Sequence, residues 1–132
     1  MEHHVVRSPS MPRAMAPIYS QAVRAGDLIF VSGQPGIDTS GAADPATLRG
    51  VPGGFEAEVR QAFRNLEAVL RAAGSGLEHV VKVTMFVADP EAPRLNELFA
   101  EFFPTDPPAL STPSVTLPRG LLFSVEAVAV VA

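Results

Sequence analysis

A single carboxylate, Glu126, interrupts the apolar run "LLFSVEAVAVVA" at residues 121–132. The spacing allows it no Lys, Arg or His in its own strand. A carboxylate in an apolar setting is costly unless something pairs with it, and burial without a partner raises its pKa into a range suited to proton transfer. Two readings stay open. Glu126 either moves protons or is satisfied by backbone amides or an arginine from elsewhere in the fold. The stretch before it, "PPALSTPSVTLPRG" at residues 107–120, holds four prolines and no charge until Arg119. The other polar residues set among apolar ones are Tyr19, Ser32, Gln34, Asn96, Ser111 and Thr112. Taken singly, each fits an ordinary role: a strand aromatic with its hydroxyl in water, a strand end, an exposed helix position or a turn cap.

The nucleophile templates are missing. There is no G-x-S-x-G, no cysteine, and no histidine placed for a Ser-His dyad. No G-x-G-x-x-G or P-loop suggests a nucleotide cofactor. His3 and His4 are adjacent and point apart on any regular element, and only His79 lies elsewhere, so neither a metal nor any other cofactor is expected. An enzyme built from this chain would work with carboxylate, hydroxyl and backbone groups.

The elements that must carry these residues fit one domain of 132 residues, 47% hydrophobic and 18% charged. The net charge is −4, and nine of the ten basic residues are arginines spread singly along the chain. That pattern gives no footprint for nucleic acid. No apolar run approaches the roughly 18 residues of a membrane span, and the amino end has no signal-peptide core, so a cytoplasmic protein is expected. Residues 1–15 read as a flexible N-terminal segment ahead of a domain over 16–132.

"YSQAVR" (19–24) and "LIFVSGQ" (28–34) read as a hairpin turning at Gly26, followed by a long loop over 35–54. Phe55, Val59, Phe63, Leu66 and Leu70 recur at helical spacing over 55–73, and Gly74 stops the helix. A strand over 79–88, a second helix over 92–103 and a final strand over about 121–131 follow, with a short extended piece near 112–116. The order β-β-α-β-α-β predicts an α+β fold with two helices on one face of a mixed sheet. Both faces of the final strand are largely apolar, yet one helix layer covers only one face. The other needs a cover, and a neighbouring subunit is the simplest.

Together "APIYSQAVRAGDLIFVSGQPGID", "VRQAFRNLEAVLRAAGSGLEHVVKVTMFVADPE", "LNELFAEFFPTDPPALST" and "LPRGLLFSVEAVAVV" resemble the reactive intermediate deaminase (RidA/YjgF) family from about Ala16 to Val131. The resemblance implies a chorismate-mutase-like fold and a homotrimer with a central barrel, helices outside and small-molecule clefts between subunits. It also implies hydrolysis of enamines and imines to 2-oxo acids and ammonia. The matching positions are Tyr19, Ser32, Gly33 and Asn96 for substrate and Glu126 for orienting the attacking water. One position departs. The family's deaminases read "PARS", with an arginine that grips the substrate carboxylate, where this chain has Pro108-Ala109-Leu110-Ser111 followed by Thr112 and Pro113. Leu110, Ser111 and Thr112 would therefore line a cleft whose anion clamp is gone, and the usual 2-imino acids are not its expected substrates. Arg13 and Arg119 are the nearest replacements in sequence. A non-catalytic trimer binding a metabolite or a protein in the same cleft is the alternative. Endoribonuclease activity, also attached to the family, fits the acidic charge poorly.

Overall fold

Gly26, at φ 61°, turns the chain between β2 (Ala22–Ala25) and β3 (Leu28–Pro35), the hairpin expected from the sequence. A computed structural model describes residues 2–8, 18–38, 48–89 and 92–132. Helix α1 (Phe55–Ala72) and strand β4 (Val80–Val87) come next, then helix α2 (Leu95–Phe102), a short β5 (Ala109–Ser111) and β6 (Phe123–Val130). Residues 3–6 are not a free tail: they form β1 (His3–Val6), paired antiparallel with β2. Four residues of mixed polarity carry little strand signal alone; the exposed edge of β2 supplies the ladder. Residues 9–15 of the expected N-terminal segment lie outside the described residues.

The sheet runs β1-β2-β3-β6-β4-β5. Only β4 and β5 pair in parallel, through the α2 crossover, so the sheet is mixed. The extended piece expected near 112–116 begins earlier, at Ala109. It continues beside β4 through the Val87–Ser114 bridge and bonds between Val87 and Pro113 and Val115. Helix α2 starts three residues later than its periodicity suggests. Ala92 and Arg94 take positive φ values of 37° and 57°, and Pro93 between them favours a turn.

Both helices cover one face. Ile29, Val83, Met85, Phe123 and Val125 point from the sheet into a core closed by Val59, Phe63, Leu66 and Leu98. Phe63 stacks on Phe102 at 4.6 Å between ring centres, which fastens α2 to α1. A bidentate Arg60–Glu101 pair and an Arg94–Glu56 pair, in which one Arg94 nitrogen donates to both carboxylate oxygens, lie over this seam; being exposed, they orient more than they stabilise. The opposite face of the sheet is open in the single chain. Phe30 is 46% exposed and Leu28 41%, and Val128 and Val130 are half-buried. No helix among the described residues is long and apolar enough to cross a membrane.

Candidate functional site

Alternation along β6 sends Phe123, Val125, Ala127 and Ala129 to the helices and Ser124, Glu126, Val128 and Val130 to the open face. Glu126 is exposed in the single chain, so the burial expected of it is not what one subunit provides. The apolar residues next to it, Val125 and Ala127, belong to the other face, and Val128 and Val130 share its open one. Among the described residues its carboxylate has no hydrogen-bond or ion-pair partner. Register places Thr84 of β4 directly opposite Glu126 and Lys82 opposite Val128. A hollow of about 170 Å³ opens here, walled by Phe30, Lys82, Thr84, Glu126 and Val128.

Ser111, on β5, is level with Thr84 and shares its face; its Oγ accepts a 2.8 Å hydrogen bond from Lys82 Nζ. Leu110 is level with Val83 and so takes the opposite side of the edge strand, where it is 37% exposed. Within one chain Leu110 does not stand beside Glu126, and Thr112 is exposed just past the strand. Lys82 is the site residue that sequence reading passed over. The signal was there: Lys82 and Thr84 alternate with the buried Val83 and Met85, which puts both polar residues on the sheet's uncovered side.

Ser32 and Gly33 occupy a register shift between Val31 and Gln34 in the pairing of β3 with β6. The shift is pinned by Ser32. Its hydroxyl donates to the Ser20 carbonyl at 2.7 Å, and its N–H donates to the Gln21 carbonyl at 2.9 Å. A Cβ on Gly33 would come within 3.2 Å of Ser124 Oγ, so the bulge brings backbone close to β6 two residues from Glu126. Tyr19, 42% exposed, precedes β2, on the segment that Ser32 holds. Asn96 lies exposed in the first turn of α2, in the helix layer and apart from the hollow. Arg119 sits in a tight turn at φ 57° and does not wall the hollow; Arg13 lies outside the described residues. Among the described residues no cluster of His, Asp or Glu could hold a metal ion.

Among the described residues the buried carboxylate is Glu58, which sequence reading missed. It lies on the apolar stripe of α1, one turn from Phe55 and from Ala62, and Asn65 follows two turns on. Asn65 Nδ2 donates to the carbonyls of Pro35 and Ile37, both at 3.0 Å, and the Glu58 carboxylate accepts the Leu122 N–H at 3.0 Å. A Cβ on Gly36 would collide with the Glu58 backbone, and one on Gly50 would stand 2.6 Å from its carboxyl carbon. Glycine at both positions is what lets the loop ends close over the helix.

Burial pushes the Glu58 carboxyl above the usual carboxylate range, against the opposing pull of the Leu122 N–H. The folded state therefore holds this proton more tightly than the unfolded one. Stability from Glu58 is full below the ordinary carboxylate pKa and is lost as pH rises through the folded value. Glu58→Gln keeps an acceptor for Leu122 and removes the charge. Its melting temperature is expected to exceed the wild type's near neutral pH, with the gap closing toward about pH 4. Parallel melting profiles across that range would rule this out.

Comparison with known proteins bears on the whole chain. A family model described as Endoribonuclease L-PSP matches residues 9–131. The mouse 2-iminobutanoate/2-iminopropanoate deaminase is 38% identical over 96% of this chain and 90% of its own length. Protein DfrA of Myxococcus xanthus is 39% identical over 98% and 97%. Among solved structures, the YjgF gene product of E. coli superimposes with a TM-score of 0.81 at 30% identity, covering 96% of this chain and 98% of that one. RidA from an Antarctic Psychrobacter gives 0.83 at 31%, covering 97% and 99%.

Proposed function

Because this chain belongs to the endoribonuclease L-PSP family, which includes the reactive intermediate deaminases, we propose that it hydrolyses a small imine or enamine, with Glu126 holding the attacking water. The observation that carries this reading is a carboxylate, unpaired among the described residues, on the wall of a largely apolar hollow. An enamine first takes a proton from solvent at carbon to become the iminium, the form an imine reaches by protonation at nitrogen. Glu126 then accepts a proton as the water oxygen bonds to the iminium carbon, and the C=N electron pair moves to nitrogen to give the neutral carbinolamine. Glu126 returns that proton to the nitrogen, and as the carbinol O–H proton passes to solvent the carbonyl forms, the C–N bond breaks and ammonia leaves.

The site is a cleft between subunits of a homotrimer in this reading. Three observations support it: the uncovered apolar face, the exposed position of Glu126, and the placing of Leu110 and Asn96 away from the hollow of their own chain. Light scattering is expected to give three times the 13.9 kDa chain mass. A folded monomer would remove the cleft. A coupled assay that generates imines with an amino-acid oxidase and traps survivors with semicarbazide tests the reaction. Binding with no turnover of any imine would make the protein a binding module instead.

A further inference from the structure

Residues 107–118 carry no cation, but the sheet beside them does. Among the described residues, Lys82 is the only cationic one walling the hollow. Register sets it diagonally across from Glu126 on one face, a relation in which side chains stand about 7–8 Å apart at their bases. No ion pair joins the two. An ammonium and a carboxylate that face the same small space without neutralising each other leave room between them for a ligand carrying a negative end.

Lys82 is also held in place. One of its three N–H groups is bonded to Ser111 Oγ at 2.8 Å, which leaves two to donate. Ser111, accepting that bond, keeps its own proton free to donate toward the same point. The surrounding Phe30 and Val128 lower the local polarity and strengthen a charge-assisted bond.

On the reading proposed above, we infer that Lys82, steadied by Ser111, is the anion-binding group of this site, and that the ligand is a small carboxylate whose reacting carbon lies toward Glu126. A lysine is a point charge, without the planar fork that matches both oxygens of a carboxylate. It therefore selects for a negative charge while gripping it loosely.

The test is equilibrium binding, by calorimetry or NMR titration, of 2-oxobutanoate and its uncharged methyl ester to the full chain. Wild type and Lys82→Arg are expected to bind the carboxylate better than the ester. Lys82→Met is expected to bind the carboxylate about 10- to 100-fold more weakly with the ester unaffected. Ser111→Ala should show a smaller loss in the same direction. Equal carboxylate binding by wild type and Lys82→Met overturns the assignment, as does an equal loss of acid and ester. Should Lys82→Met fail to fold, the wild type decides alone: a preference for the acid that shrinks with added salt supports the assignment, and no preference, or no binding, overturns it. Charge-selective binding without imine turnover would instead sink the proposed reaction and leave Lys82 standing.

Discussion

Glu126→Gln is expected to abolish most imine hydrolysis, lowering kcat by about 100-fold or more while the protein keeps its fold, its assembly and its ligand affinity. Glutamine has the same shape and can still orient a water molecule, but it cannot take the proton that the water must lose on attack. The structural cost should be small, because the side chain is exposed on the open face and supports no other group among the described residues. Matched circular dichroism melts and single-turnover rates on both proteins make the comparison. Equal rates would show that some other group handles the proton. A large fall in melting temperature with unchanged specific activity would mean that Glu126 supports structure.

Leu110→Arg has the second large effect, and it is a gain. A fully desolvated charge-assisted pair is worth about 2–5 kcal/mol. At about 1.4 kcal/mol per factor of ten, that amounts to roughly 30- to several-thousand-fold in kcat/KM on 2-imino acids. The wild type is accordingly expected to hydrolyse such imines slowly, through the single contact that Lys82 offers. Leu110 lies at the exposed edge of β5, on the side away from its own Glu126. An arginine there would serve a cleft completed by a neighbouring subunit. Unchanged kinetics in Leu110→Arg would mean that Pro113 has turned this edge out of reach. Brisk hydrolysis by the wild type would show that the leucine costs the site nothing.

The elements whose own sequence repeats with a period of their geometry were readable in advance. Helix α1 declares itself through Phe55, Val59, Phe63 and Leu66, and β6 through its strict alternation, because burial of one face leaves a mark at every turn or second residue. Elements that exist because a partner strand offers a ladder were missed, as β1 was, or placed a few residues off, as β5 was. β1 and β5 are four and three residues long, and they owe their conformation to the free edges of β2 and β4. The site divides along the same line. Glu126, Ser32 and Gly33 could be picked out as polar or flexible positions inside apolar strands. Which residues stand next to Glu126 depends on register, a property of pairs of strands, so Thr84 and Lys82 emerged only with the fold. Glu58 escaped for a different reason: a carboxylate in the first turn of a helix is so common that its place on the buried stripe drew no notice.

The strand that carries Glu126 is the last of the described elements to be synthesised, yet it lies between β3 and β4 in the middle of the sheet. Before it emerges from the ribosome, the chain can form at most two unjoined half-sheets, each with a bare edge where β6 belongs and each missing Phe123 and Val125 from the core. Neither half can close until residues 123–130 arrive and pair with both. Contacts of such long sequence separation slow folding and leave apolar edges exposed meanwhile. The same insertion that completes the core delivers Glu126 and Val128, so a partly made chain cannot present the hollow they wall.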